Sequence, residues 1–304
     1  MSVGESKVAI YAAMAANLAI AIAKFIGAAI TGSSAMLSEG IHSIVDTVNE
    51  VLLLYGLNRS QRSPDEDHPL GYGQELYFWS LIVAVLIFAL GGGVSVYEGV
   101  KSIQHPEPAA NVLVSYGVLG AAALFEGAAL AVSLRSFQQS QTQPQSLWSA
   151  LRQSKDPSAF VVIVEDGAAL VGLLFAFGGV FLSERTGNSV YDGMASIAIG
   201  ILLTIVAIAL VGETKGLLIG ESAAPAIREN IRAIVQADAA VSKLDAPITL
   251  HLGPQDIMVA MHIEFQDALS ADEIEAATRR IERKIREAHG EVKRIFLEAA
   301  SIVS

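Results

Sequence analysis

Six long apolar stretches run through the first two-thirds of the chain, at about residues 8–30, 35–57, 76–97, 112–134, 160–182 and 194–211. Each is close to the roughly 20 residues that a helix needs to cross a bilayer. The pattern predicts an α-helical membrane protein, a six-transmembrane-helix bundle. The link Thr31-Gly32-Ser33-Ser34 is so short that the first two stretches form an antiparallel pair. Residues 58–75 are polar, and their Pro and Gly exclude a regular helix. Residues 135–157 form a hydrophilic link rich in Gln and Ser, helical in part around 146–153. Gly91-Gly92-Gly93 in the third stretch, and Ala198 and Gly200 in the sixth, suit close helix contact. After Gly212 the run gives way to mixed charge. Residues 225–235 have helical periodicity with Pro at the start, 247–252 and 257–265 alternate like strands, Ser270 opens a capping box, and 292–299 reads as a last strand. The domains expected are 1–212, a six-span transmembrane domain, and 213–304, a ferredoxin-like αββαβ cytoplasmic domain.

The apolar stretches are interrupted in an orderly way. In the second, Glu39, His42, Asp46, Asn49 and Glu50 fall within an arc of about 100° on a helix. Ionisable groups at membrane depth are costly and face a bundle interior or a water-filled cavity. His42 and Asp46, four apart, can hold one metal ion between them; interhelical hydrogen bonding is the structural alternative. The fifth stretch carries Glu165-Asp166. Adjacent positions lie about 100° apart, so only one of the two faces any given neighbour. Asp166 reads as a metal ligand, and Glu165 as a second ligand or a proton acceptor. Glu126 stands alone in the fourth stretch, to be protonated, paired or on the ion path. Asn17 and Lys24 in the first face the bundle, or Lys24 snorkels. Outside the spans, Asp65 and His68 form an acidic cluster that is either a cation site or a solvated loop, and His251 and His262 lie on or beside strands.

Composition narrows the chemistry. The 304 residues are 52% hydrophobic and 17% charged, with a mean hydropathy of +0.48. A net charge of −11 argues against nucleic acid. There is no cysteine, so a metal site must use nitrogen and oxygen donors. No His-Glu-x-x-His arrangement is present, which argues against a metalloenzyme. No secretory leader or transit segment is expected before the first span. Lys7, Arg59, Arg62, Arg135, Arg152 and Lys155 share the side of the termini, against Lys101 and Arg185 opposite. By the positive-inside rule both termini are cytoplasmic, or on the equivalent side, and a cell inner membrane is the expected location.

Thr31-Gly32-Ser33-Ser34-Ala35-Met36-Leu37, His42-Ser43-Ile44-Val45-Asp46 and His68-Pro69-Leu70-Gly71-Tyr72-Gly73, in this order, resemble the cation diffusion facilitator family over nearly the whole chain. The run from Asp156-Pro157 to Glu165-Asp166-Gly167-Ala168-Ala169 resembles its mitochondrial-type zinc transporter branch. The resemblance implies a homodimeric, proton-coupled antiporter that exports Zn²⁺ from the cytoplasm by alternating access. Mn²⁺ or Fe²⁺ export, or a non-transporting metal sensor, are the other readings. It also implies a transport site of two residues from span two and two from span five, spaced four apart. His42, Asp46 and Asp166 match, and the remaining position is Val162, which cannot ligate. Glu165, Glu50, Glu126 or a water are the candidates for the gap. The family's cytoplasmic metal cluster is depleted here, with His262 and Glu298 matching and the other ligand positions apolar, and Gln74 stands where relatives often carry a basic residue.

Overall fold

The computed structural model describes residues 3–106, 111–140, 151 and 155–302. Six long helices come first: α1 (Val3–Thr31), α2 (Ser34–Ser60), α3 (Glu75–Gln104), α4 (Val112–Ser140), α5 (Pro157–Thr186) and α6 (Val190–Ile219). Among the described residues, α3, α4, α5 and α6 are long and apolar enough to cross a membrane. The described apolar part of α1 is the shorter Asn17–Thr31. In α2 the polar stripe that gives the helix its chemistry also keeps it out of a hydropathy count. The segment expected to be helical at 146–153 lies, Leu151 apart, outside the described residues. The sixth helix runs past residue 211, where its apolar pattern ends, because nothing in Glu213-Thr214-Lys215 breaks it. It stops before Gly220, whose φ of +113° is open to glycine alone.

The chain divides into two compact units. One holds Met1–Leu57, Phe78–Arg152 and Pro157–Thr214; the other holds Asn58–Tyr77, Gln153–Asp156 and Lys215–Ser304. In the first, α3 and α6 approach through glycine. A Cβ on Gly99 would lie 2.6 Å from the carbonyl oxygen of Gly193, and one on Gly200 would lie 2.7 Å from that of Gly92. Gly92 and Gly99, like Gly193 and Gly200, are two turns apart on one helix face. The helices therefore pack backbone to backbone, as small residues permit in a membrane. The glycine run packs closely, as expected, and Ile87–Gly92 forms a π-helical turn within α3.

A second device joins the start of α2 to α6. Asp192 is buried and accepts hydrogen bonds from the Ser33 hydroxyl at 2.6 Å, the Ser34 amide at 2.6 Å, the Ser34 hydroxyl at 2.9 Å and the Ala35 amide at 3.3 Å. A carboxylate from another helix thus satisfies the orphan amides at the α2 N-terminus and meets the positive end of its dipole. Nearby, the Ser38 and Ser196 hydroxyls lie 2.5 Å apart, and Ser196 donates to the Ser95 carbonyl.

The second unit contains α7 (Pro225–Gln236), β1 (Val241–Leu244), β2 (Ile248–Gly253), β3 (Asp256–Phe265), α8 (Ala271–Ala288) and β4 (Val292–Ala299). The order is αβββαβ, one strand more than the αββαβ expected. Strand β1 has only four residues, two of them exposed, so it leaves no alternating signal. β3 is central. β1 and β2 pair antiparallel with it, and β4 pairs parallel through α8, since a parallel neighbour needs a crossover helix. Ser270 and Glu273 complete the capping box at the start of α8. Ile231, Val235, Ile257, Val259, Ile263, Ile281 and Ile285 fill the core between helices and sheet.

Two buried titrating groups in this unit contribute to its response to acid. Buried Asp238 receives a two-pronged contact from Arg280 at 2.7 and 2.6 Å, which holds its carboxyl below the usual range. Burial lowers the His251 imidazole from its ordinary value. A depressed imidazole leaves the unfolded chain binding more protons below about pH 6.5. Stability therefore falls from that point until His251 itself protonates. The Asp238 contribution persists to lower pH and is lost below about pH 4. The expected result is a melting temperature of the soluble unit that is flat above neutrality and falls in two stages on acidification. Thermal scans of the purified protein against pH check this, and His251→Gln removes the first stage only.

Candidate metal centre

The stripe on α2 points inward. Glu39, His42, Ser43 and Asn49 are buried, and Asp46 and Glu50 are half-buried. A polar cleft lies beside them, lined by Asn17, Ser43, Asp46, Glu50, Glu126, Val162, Glu165 and Asp166 among others. Its volume is about 30 Å³, against roughly 10–15 Å³ needed for one water. That suits a single small ion with little of its hydration shell. The cleft occupies the half of the bundle where α2 ends and α5 begins.

Five carboxyls from three helices meet at this cleft, each held differently. Asp46 lies 3.3 Å from Nδ1 of His42, one turn back on α2, and adjoins Glu165. Glu165 accepts a 2.6 Å hydrogen bond from Nδ2 of Asn49. Ser133 of α4 donates to Asp166 at 3.3 Å. Asn17 of α1 donates to Glu50 at 2.8 Å. Glu126 accepts from Nζ of Lys24 at 2.7 Å. His42 stands behind Asp46, and both of its ring nitrogens are buried without a hydrogen-bond partner, as is Oδ1 of Asp46. Buried polar atoms are nearly always satisfied. An imidazole and a carboxylate left unpaired side by side are what a cation would complete.

The structure brings His42, Asp46, Glu165 and Asp166 to one region, with Glu50 and Glu126 at its edge. Among the described residues no three His, Asp or Glu converge tightly enough to hold one ion. Val162, four residues before Asp166, does line the cleft, as a wall without a donor. The remaining candidates belong to the other unit. Asp65 is exposed and committed locally, accepting from the His68 amide at 2.7 Å and the Tyr72 hydroxyl at 2.5 Å. These bonds lower its pKa and rigidify a loop in which His68 stacks on Tyr72. His262 is exposed on β3 between Asp245 and Glu298, each 3.2 Å from one ring nitrogen. The register sets Glu298 directly opposite His262.

Sequence reasoning missed three partners. Asn49 was only one of a stripe, yet it orients Glu165. Ser133 sits among alanines and valines and gave no signal. Lys24 had one: a lone cation and a lone carboxyl, Glu126, in two apolar spans are a pair waiting to be matched.

Comparison with known proteins fits this geometry. A family model described as the cation efflux transmembrane domain matches residues 10–219. One described as the cation efflux protein cytoplasmic domain matches residues 223–298. The chain is similar to the mitochondrial proton-coupled zinc antiporter SLC30A9 of Xenopus laevis, 35% identical over 236 residues, 77% of this chain and 42% of the relative. Metal tolerance protein C4 of Arabidopsis thaliana is 34% identical over 236 residues, 77% of this chain and 52% of the relative. The manganese efflux system protein MneP of Bacillus subtilis (strain 168) is 27% identical over 241 residues, 77% of this chain and 75% of the relative. The chain spans about half the length of the first two.

Proposed function

Because the chain belongs to the cation efflux family, the cation diffusion facilitators, we propose that it is a secondary transporter exchanging Zn²⁺ for protons, and not an enzyme. The observation that carries this is the carboxyl-lined cleft inside the helical unit, with the unsatisfied nitrogens of His42 beside it. The transported ion is held by neutral His42 and ionised Asp46 and Asp166, with Glu165 as the further donor that Val162 does not supply. Glu50 stays at the rim. Each donor must lose its proton to bind metal, so metal and protons exclude one another at the same groups. That exclusion is the coupling. The bundle has six spans, with α1 and α2 completing it around the polar stripe. Both termini share the side that carries the basic links, cytoplasmic or its equivalent in a cell inner membrane. The cleft faces that side, and the opposite end is closed at Asp192. The soluble unit pairs with its copy in a homodimer. His262 with Asp245 and Glu298, and the Asp65–His68 loop, lie outside the transport site.

Manganese or iron export is the second reading, favoured by the oxygen-rich lining of the cleft, which suits harder cations. The test is pH-gradient-driven uptake of Zn²⁺, Mn²⁺ and Fe²⁺ into proteoliposomes holding the purified protein. The expected result is zinc uptake that collapses with the gradient. Preference for Mn²⁺ or Fe²⁺ selects the second reading, and no flux of any metal overturns both in favour of a sensor.

A further inference from the structure

One charged group beside the cleft has no role in the transport reading. Lys24 of α1 is fully buried in the helical unit. Its ammonium donates to Oε1 of Glu126 at 2.7 Å, to Oγ of Ser43 at 2.8 Å and to Oε2 of Glu39 at 3.1 Å. Three donors meet three acceptors, so the ammonium is satisfied. On its other side Glu39 lies against Gly172 of α5, where a Cβ would collide with its Oε1. Glu39 and Ser43 hold Lys24 from buried positions, whereas Glu126 is partly exposed and is the partner with room to turn toward the cleft. Glu126 is also the one member of the triad, besides Ser43, that lines the cleft. Its carboxylate belongs to two possible neighbourhoods: the ammonium of Lys24, or an ion among Asp46, Glu165 and Asp166.

We propose that Lys24 is a specificity-determining residue, a tethered cation that keeps Glu126 out of the metal's coordination shell. The consequence is a donor count. With Glu126 engaged by Lys24, one carboxylate fewer is free to ligate beside the His42 imidazole, a lower-coordinate set that suits Zn²⁺. With Glu126 released it gains a carboxylate and loses a nearby positive charge. Both changes favour Mn²⁺, which takes more oxygen donors. This rests on the transport reading and deepens it by naming what sets the choice of metal.

The test compares Zn²⁺ and Mn²⁺ uptake into proteoliposomes for the wild type, Lys24→Met, Lys24→Arg and Lys24→Met combined with Glu126→Gln. Lys24→Met is expected to raise the Mn²⁺:Zn²⁺ uptake ratio by about tenfold. Lys24→Arg, which keeps the charge, restores the wild-type ratio, and so does adding Glu126→Gln to Lys24→Met. A ratio unchanged by Lys24→Met, or a shift that persists when Glu126 is neutralised, overturns the proposal. If Lys24→Met yields no folded protein, Lys24→Met combined with Glu39→Gln, which removes the buried charge that the methionine leaves unpaired, carries the same comparison. A wild type that moves neither metal defeats the transport reading itself. A zinc-transporting wild type with an unresponsive ratio defeats this inference alone.

Discussion

Asp46→Ala is expected to lower metal uptake by about 100-fold or more, beyond the 10–100-fold that follows when only a ligand's supporting partner is removed. The substitution deletes the carboxylate 3.3 Å from His42 and leaves Glu165 without its neighbour across the cleft. It also removes Oδ1, buried without a hydrogen-bond partner, and the hydrogen-bonded contact with Glu165, so the loss is confined to the cleft. The protein should therefore remain folded, with the elution profile and helical circular dichroism of the wild type. Asp46→Asn is expected to be nearly as inactive, since an amide keeps the shape but cannot supply the charge. Proteoliposome flux and a metal-binding isotherm on the same preparation check both variants. Normal flux in Asp46→Ala would falsify the ligand assignment.

The second large effect concerns stability. Asp192→Ala is expected to cost about 3–4 kcal/mol, from charge-assisted hydrogen bonds of roughly 1.5–3 kcal/mol each, less what water and relaxation recover, together with the loss of a helix cap worth about 1 kcal/mol. The Ser33 and Ser34 hydroxyls and the Ser34 and Ala35 amides all donate to this one carboxylate. Without it, the first turn of α2 is left with buried unpaired donors. Asp192→Asn keeps one acceptor oxygen and should lose less. Thermal or denaturant unfolding in detergent measures the order wild type, Asn, Ala. A loss under about 1 kcal/mol would mean that water replaces the carboxylate and that the clasp is incidental.

What the sequence disclosed, and what it withheld, follows from the range of each interaction. The α2 stripe was legible because five polar residues at helical spacing in an apolar run are local and costly, and the structure turns them inward. Helix α8 was legible because Ser270 and Glu273 are three apart. The Asp192 clasp was not, because its partners are about 158 residues away in sequence and a turn-flanking aspartate looks solvated. The contact of Asn49 with Glu165, 116 residues apart, was hidden for the same reason. β1 was missed because four residues, two of them exposed and none buried, carry too little pattern. The end of the sixth helix was placed early because hydropathy marks where apolar character stops, whereas a helix stops at a conformational break such as Gly220.

The membership of the soluble unit bears on how the protein can be taken apart. Residues 58–77, which join α2 to α3, cluster with the tail and not with the helices on either side. Gly73 packs so closely on Leu252 of β2 that a Cβ would strike its carbonyl, and Gly71 lies against Arg294 of β4. The tail's fold thus includes a segment encoded far upstream of it. A chimera that swaps only the C-terminal third between relatives would split this fold and set a foreign sheet against a native loop. The exchangeable module is discontinuous, in three pieces, and a faithful graft carries them together.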